Sequence, residues 1–204
     1  MKLYYLPGAC SLADHIALCW SGLPFEVEAV PRDQLKGEFL KINPSGSVPA
    51  LALDDGTVLT QNLAILNYIA DLAATANLAG KTPRERAEAL RWTAFVNADV
   101  HKFFSLIFGA GRLLAGEDAQ NELIASSRTA LRGLFQTADA QLAVGNGWLA
   151  NGTRSIADAY LFVVLRWAKG KNVDLSGLTH LETFHSRMRE DEGVKRAMAA
   201  EGLA

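Results

Sequence analysis

The sequence predicts an α/β unit followed by an all-α unit. Strand and helix patterns alternate in the first third of the 204-residue chain, and the last convincing hairpin signal is Asp54-Asp55-Gly56. After the helix that follows this hairpin, every periodic segment has the three- and four-residue spacing of a helix with one buried face. We expect a first domain over residues 1–76 and a helical domain over residues 83–204, because the segment between them has no periodicity and is rich in turn-forming residues.

Composition is typical of an ordinary globular protein. Half of the residues are hydrophobic, 21% are charged, and the formal net charge is -2 at pH 7. No basic stripe indicates nucleic-acid binding, and no apolar run reaches the roughly 18 residues of a membrane span. The N-terminus lacks the basic and apolar regions of a secretory signal, so we expect a cytoplasmic protein without membrane contact.

The first elements follow from turn signals and periodicity. A short strand over residues 3–5 ends at Pro7-Gly8, and a helix begins near residue 10. Gly22 provides a left-handed cap for this helix, and Pro24 cannot continue it. Residues 25–30 alternate apolar and acidic side chains, which predicts a strand with one solvated face, and a short helix is expected over residues 35–40.

The rest of the sheet is predicted to contain an antiparallel pair. A dense turn cluster at residues 43–47 precedes a strand over residues 48–53. Asp55-Gly56 favours the positive φ angles of a type I′ turn, which leads into a strand over residues 57–60 and a helix over residues 63–74. Helical crossovers predict parallel pairing near the start of the chain, and the tight hairpin predicts antiparallel pairing near the end of the sheet.

Capping residues mark two of the later helices. Thr82, Pro83 and Glu85 are an N-cap, a first-turn proline and an acidic residue three positions after the cap, so a long helix is expected to about residue 107. Further helices are predicted over residues 120–142, 155–167, 178–189 and 193–200. Ser155 and Asp158 have the spacing of a capping box, which favours a structural role for both.

Cys10 lies at the junction between the first predicted strand and the first predicted helix. Unpaired N–H groups and the positive end of the helix dipole favour a thiolate at this position, which predicts a lowered pKa and a nucleophilic or redox role. The alternative is a small buried cysteine with a packing role. Cys19 lies nine residues further along the same helix, roughly 13 Å away, so the two thiols are not expected to pair with each other.

Two turn regions are candidate ligand-binding segments. If the bond before Pro49 is cis, Val48 would offer its backbone N–H and C=O to a peptide-like ligand beside Cys10; the alternative is a trans proline on an edge strand. Gln61 and Asn62 precede a helix, where Asn62 is a reasonable N-cap. The alternative is that this pair and the helix N–H groups hold a ligand carboxylate or amino group.

The whole chain resembles a glutathione S-transferase, most closely the bacterial beta class. The resemblance rests on segments in both halves of the sequence, and their combination is specific although no single motif is. The matching segments are Lys2-Leu3-Tyr4-Tyr5-Leu6-Pro7-Gly8-Ala9-Cys10-Ser11-Leu12, the run from Ile42 to Leu51, the run from Ala64 to Asp71, Val100-His101-Lys102, and the run from Ser155 to Phe162.

The resemblance implies a thioredoxin-like N-terminal domain, a helical C-terminal domain, a homodimer, and roles for individual residues. The residues implied to be catalytic are Cys10, Ser11 and His101. The residues implied to bind glutathione are Cys10, Lys36, Val48, Pro49, Gln61, Asn62 and Lys102. In the beta class the pair at 61 and 62 is usually Glu followed by Ser or Gly, and positions that are often Asn and Ser correspond to Ala94 and Ala98 here.

The implied activity is a glutathione-dependent transferase. The glutathione thiolate would attack a small hydrophobic electrophile or a disulfide. A Cys10–glutathione mixed disulfide would be an intermediate, and thiol–disulfide oxidoreductase or peroxidase chemistry would be a side activity. A non-catalytic ligand carrier or protein-interaction module is the alternative. His101 is either packed on an apolar helix face or suited to proton transfer near neutral pH. The second-substrate pocket is expected to be lined by Leu6, Pro7 and the region of Phe104 and Phe108, and no metal is expected.

Overall fold

The computed structural model describes residues 1–203. Its first part is a four-stranded sheet with helices packed on it. Strand order is β2-β1-β3-β4, with β1 parallel to β2 and the other two pairs antiparallel, as the helical crossover and the hairpin predict. The elements of this part are β1 (Lys2–Tyr5), α1 (Ser11–Ser21), β2 (Glu26–Ala29), β3 (Ala50–Ala52), β4 (Val58–Thr60) and α2 (Asn62–Leu72).

The hairpin between β3 and β4 differs from the expected type I′ turn. The Leu53 N–H donates to the Thr57 carbonyl at 2.8 Å, which closes a three-residue loop. Only Gly56 in this loop has a positive φ, 88°, whereas a type I′ turn needs positive φ at both central residues. The short helix expected near residues 35–40 is two 3₁₀ turns, Gln34–Lys36 and Glu38–Lys41.

Within the described residues, the second part contains helices and the loops that connect them, and no strand. One continuous stretch begins with α3 (Pro83–Ala94), passes through a π-helical segment (Phe95–Val100) and ends with α4 (His101–Leu113), so it extends past the expected end near residue 107. The remaining helices are α5 (Glu117–Val144), α6 (Ile156–Gly170), α7 (Thr179–Glu190) and α8 (Glu192–Ala200). A further 3₁₀ turn, Ala74–Ala76, follows α2; the domain limits at residues 76 and 83 stay a prediction.

Both predicted capping boxes are present, in different surroundings. Thr82 Oγ1 accepts from the Glu85 N–H at 3.2 Å, and the Glu85 carboxylate accepts from the Thr82 N–H at 2.9 Å near the surface. The second box is buried. Asp158 accepts from the N–H and the hydroxyl of Ser155 at 2.8 and 2.7 Å, and from the Leu149 N–H at 2.9 Å. Asp158 thereby fixes both the start of α6 and the loop before it.

One hydrophobic core joins the two parts. Helix α1 packs against α2 on the sheet side and against α6 and α8 on the helical side. Leu12, Ile16 and Ala17 of α1 and Tyr160, Leu161 and Val164 of α6 are completely buried in this core. The N-terminus of α1, which carries Cys10, is therefore held from both parts of the chain. No helix within residues 1–203 combines the length and apolarity needed to cross a membrane.

Candidate functional site

A polar cleft of about 380 Å³ opens beside the N-terminus of α1. It lies between the loops that precede β3 and α2 on one side and the α3–α4 stretch on the other. The lining residues are Cys10, Asn43, Ser47, Val48, Pro49, Thr60, Gln61, Asn62, Asn97, His101, Lys102, Ser105 and Tyr160.

The cleft brings together most of the residues that the sequence predicts. Seven of them line it, namely Cys10, Val48, Pro49, Gln61, Asn62, His101 and Lys102. Ser11 and Lys36 do not. Ser11 is completely buried, and its hydroxyl faces the N–H and carbonyl of Leu6 at 3.3 and 3.5 Å. Lys36 donates to the Ser45 carbonyl at 2.7 Å, so its ammonium stabilises the loop before Val48 rather than lining the cleft.

The Cys10 thiol lies at the N-cap position of α1 and faces the loop before β3. Its Sγ donates to the Val48 carbonyl at 3.5 Å, and the Val48–Pro49 peptide bond is cis. Asn62 also contacts this residue, since its side-chain amide donates to the Cys10 carbonyl at 2.8 Å. The expected N-cap role of Asn62 is therefore wrong: Gln61 occupies the cap position of α2, and Asn62 ties α2 to α1.

The expected lowering of the Cys10 pKa is also wrong. Burial raises the pKa of the thiol to about 12, with a further increase from the nearby Asp14 carboxylate. Hydrogen bonds from the N–H groups of Cys10 and Ser11 act in the opposite direction but are the smaller influences. Desolvation of a thiolate thus outweighs the favourable helix N-terminus. In the resting protein Cys10 is a thiol and a hydrogen-bond donor.

Asp14 was not expected at this site. It follows Cys10 by one helical turn, is completely buried, and neither of its carboxylate oxygens has a hydrogen-bond partner among the described residues. Burial raises the pKa of this carboxyl well above its usual range, and the charge of Glu201 adds to the effect. The only sequence signal is an acidic residue on the apolar face of α1, next to Leu12, Ala13 and Ile16.

His101 belongs to a chain of three side chains. Its Nδ1 lies 2.6 Å from the Tyr160 hydroxyl, which donates to Asn97 Oδ1 at 3.2 Å. A hydroxyl has a single proton to donate, so this arrangement places a proton on His101 Nδ1 and leaves Nε2 as an acceptor. Asn97 comes from the π-helical segment, a feature that is frequent at functional sites. Ala94 and Ala98, the positions to which the resemblance points, do not line the cleft.

The His101 ring is neutral at physiological pH. Burial lowers its pKa to about 4, which corrects the expectation of proton transfer near neutrality. Trp167 covers one side of the ring with a centroid distance of 4.9 Å, and the Trp167 indole N–H donates to the Gly8 carbonyl at 2.8 Å. At neutral pH His101 is a hydrogen-bonding group held between two aromatic side chains, Tyr160 and Trp167.

A direct test follows the His101 ring proton on carbon ε1 by NMR as the pH is lowered. Because the imidazole is already neutral, its chemical shift is expected to stay constant from about pH 8 to about pH 5.5, whereas a free imidazole with pKa near 6.5 changes over this interval. A His101→Gln variant identifies the resonance. A midpoint near pH 6.5 in the folded protein would contradict the buried, neutral ring.

Lys102 is the only lining side chain that carries a charge at neutral pH, because Cys10 and His101 are both neutral. The other lining groups supply backbone and side-chain amides and hydroxyls. Gln61 has φ 72°, an uncommon angle for a residue with a side chain. Such a cleft suits a small peptide-like molecule with net negative charge, bound next to a thiol.

A smaller hollow of about 210 Å³ is lined by Gly8, Phe108, Arg166, Trp167, Gly170 and Lys171. Trp167, which lines this hollow, also contacts the His101 ring of the cleft. Of the residues expected in a second-substrate pocket, Phe108 lines this hollow, Phe104 is completely buried, and Leu6 and Pro7 lie outside the lining; the role of the hollow stays a prediction. Among residues 1–203 no three His, Cys, Asp or Glu side chains are grouped as metal ligands would be; the expectation of no metal stays a prediction.

The chain thus combines an α/β sheet that places Cys10 at the N-terminus of α1, a cis-proline loop beside it and a helical second part. Family models for the N-terminal and C-terminal domains of glutathione S-transferases match residues 9–72 and 90–192. The chain belongs to the glutathione S-transferase family of enzymes, and its structural neighbours include the bacterial beta class.

Three relatives illustrate the similarity. Glutathione S-transferase GST-4.5 of Xanthomonas campestris is 51% identical over 205 residues, covering 100% of both chains. A glutathione S-transferase structure from Xylella fastidiosa has a TM-score of 0.96 and 50% identity, covering 100% of this chain and 99% of that one. The beta class glutathione S-transferase of Sphingomonas chungbukensis has a TM-score of 0.89 and 37% identity, covering 100% of both chains.

Proposed function

We propose that the enzyme binds glutathione in the polar cleft and directs its thiolate at a small hydrophobic electrophile or at a disulfide. The observation that carries this proposal is the Cys10 thiol, which lies 3.5 Å from the Val48 carbonyl in a cleft whose only charged lining group is Lys102. Glutathione is a peptide with net negative charge and its own thiol, and it matches these surroundings in shape and charge.

The proposed binding roles are those that the family resemblance implies, and the positions of the lining groups support them. The Val48 backbone takes the cysteinyl part of glutathione, beside Cys10. Gln61 and Asn62 hold the γ-glutamyl end, with amides where the beta class usually has a carboxylate and a small residue. Lys102 attracts a carboxylate, and the hollow beside Phe108 and Trp167 receives the electrophile. Lys36 would contact glutathione by exchanging its hydrogen bond to the Ser45 carbonyl for one to the ligand.

The protonated Cys10 acts first as a donor. When glutathione binds, the Cys10 S–H exchanges the Val48 carbonyl for the glutathione sulfur as its acceptor. This hydrogen bond favours the glutathione thiolate and so lowers the pKa of that thiol. In conjugation the thiolate attacks an electrophilic carbon and a leaving group departs with the bonding electrons. In disulfide exchange the small Cys10 thiolate fraction attacks oxidised glutathione, forms a Cys10–glutathione disulfide and releases one glutathione thiolate. We also propose a homodimer, a cytoplasmic location and a role in detoxification.

The test measures the intact mass of the protein after long incubation with oxidised glutathione at mildly alkaline pH. Wild-type protein is expected to gain one glutathionyl group that reductant removes. Cys10→Ala is expected to gain none, and Cys19→Ala, the matched control for the second thiol, is expected to behave as wild type. In parallel, calorimetry measures reduced glutathione binding and an absorbance assay measures conjugation to 1-chloro-2,4-dinitrobenzene.

The outcomes separate the alternatives. An adduct on Cys10 with conjugation activity supports both chemistries. If glutathione binds and is conjugated but no Cys10 adduct forms, the enzyme carries out conjugation and not disulfide exchange. If glutathione does not bind at all while a hydrophobic ligand does, the proposal is wrong and the chain is a carrier.

A further inference from the structure

A second pocket, of about 310 Å³, lies where α6, α7 and α8 meet. We call it the basic pocket. It is separate from the Cys10 cleft, with which it shares no lining residue. Its polar lining consists of Arg166, Lys169, His185 and Arg189, and its apolar lining consists of Phe162, Met198 and Leu203.

Helical periodicity places the charged and aromatic side chains of α6 and α7 on the faces that line the basic pocket. Phe162, Arg166 and Lys169 follow one another on one face of α6, and His185 and Arg189 are one turn apart on α7. The Lys169 ammonium lies 3.2 Å from His185 Nδ1, so a neutral imidazole accepts from it. Three cations thus surround one buried histidine.

The positive charge of the basic pocket is not neutralised by the described residues. Neither Arg166, Lys169 nor Arg189 forms a salt bridge within residues 1–203. Glu190, the next residue after Arg189, pairs instead with Lys195 at 3.1 Å. Glu201 acts on Arg166 through its charge, but its oxygens are bound to the Gly8 N–H and to His15.

These charges lie close enough to repel one another. Burial and the charges of Lys169, Arg189 and Arg166 lower the pKa of His185 to about 4. Burial lowers the pKa of the Arg166 guanidinium, and the charge of Arg189 adds to this effect. An anion placed among these groups would relieve the repulsion and gain charge-assisted hydrogen bonds, which guanidinium groups form well with oxyanions.

We propose that the basic pocket binds a small organic anion that has an apolar body and a carboxylate, sulfonate or phosphate group. The volume is at the lower end of the range for small-molecule sites, roughly 300–1,000 Å³, and exceeds what a bare inorganic anion fills. Phe162 is completely buried and forms the apolar floor, with its ring 5.6 Å from that of His185. The charged group contacts Lys169 and Arg189 at the rim, and the apolar body covers Met198 and Leu203.

The experiment uses 8-anilinonaphthalene-1-sulfonate as the probe, with the full chain and saturating glutathione so that the Cys10 cleft is filled. Calorimetry gives its affinity for wild type, Lys169→Gln, Arg189→Gln and the control Lys81→Gln. Each rim variant is expected to bind at least about tenfold more weakly because one charge-assisted contact is lost. Lys81→Gln removes the same charge outside the basic pocket and is expected to stay within about twofold of wild type.

NMR gives the location of the probe. The His185 ring signal, identified with a His185→Gln variant, is expected to shift on titration with the probe, while the His101 signal stays in place. Unchanged affinity in both rim variants, or a stationary His185 signal, would overturn the proposal. A second titration measures the affinity of inorganic phosphate for the basic pocket. If phosphate binds as tightly as the probe, the apolar floor contributes nothing to affinity and the organic-anion assignment is wrong.

Discussion

Asp158→Ala is expected to lower the free energy of unfolding by about 4 kcal/mol, because the change leaves three buried donors without an acceptor. Asp158 is completely buried and accepts from the Leu149 N–H, the Ser155 N–H and the Ser155 hydroxyl. Burial raises the pKa of Asp158 to about 6, so the carboxylate is ionised when urea unfolding is measured at about pH 7.5. The midpoint of thermal unfolding is expected to fall by roughly 10 °C.

The matched control is Glu85→Ala in the other capping box. Glu85 accepts from the N–H groups of Lys81 and Thr82 in the same local geometry, but near the surface, where water replaces a lost acceptor. The decrease in the free energy of unfolding is expected to be several times smaller in Glu85→Ala than in Asp158→Ala. Equal losses in the two variants would show that helix capping alone, rather than burial of the donors, accounts for the effect.

Alkylation of Cys10 by iodoacetamide is expected to be about a thousandfold slower at pH 7.5 than alkylation of the same thiol in the unfolded chain. A thiol with its pKa raised to about 12 contains far less thiolate than a free cysteine with pKa near 8.5, and only the thiolate reacts. The logarithm of the rate is expected to rise by about one per pH unit between about pH 7 and pH 10, without a plateau. Mass spectrometry of a Cys19→Ala background isolates the reaction of Cys10.

Two comparisons make this measurement decisive. The unfolded reference is the same variant in concentrated urea, so intrinsic reactivity is held constant. Cys10→Ala in the same background reports any alkylation of other groups. A plateau below about pH 8.5 in the folded protein would mean that the helix N-terminus outweighs burial, and Cys10 would then be a resting nucleophile rather than a donor.

The fold was predictable wherever local signals and tertiary packing agree. The Gly22 cap, the β3–β4 hairpin and the capping residues of α3 and α6 each satisfy backbone groups that must be paired in any fold. The details that differ depend on longer-range packing. Nothing in residues 95–100 distinguishes a π-helical turn from an ordinary one, and the loop at Asp54–Gly56 satisfies the hairpin with one positive φ instead of two.

The residues that line the cleft were more predictable than their charge states. Most of its predicted residues were identified through resemblance and line one cleft, whereas Tyr160 and Asn97 enter it from helices far apart in the chain. The charge states of Cys10 and His101 depend on how completely the surrounding helices exclude water. The position of Cys10 at a helix N-terminus predicts a lowered pKa, but burial, with a smaller contribution from the charge of Asp14, raises it instead.

The contacts of Glu201 have a consequence for the order in which the protein assembles during synthesis. Its carboxylate binds the Gly8 N–H at 2.9 Å and His15 at 3.0 Å, and the Tyr5 hydroxyl donates to the Ala200 carbonyl at 3.3 Å. The Gly8 N–H and the Glu201 carboxylate that binds it are separated by 193 residues. Because chains grow at about 5–20 residues per second, a nascent chain carries the loop before Cys10 without this support for roughly 10–40 s, until α8 has been synthesised.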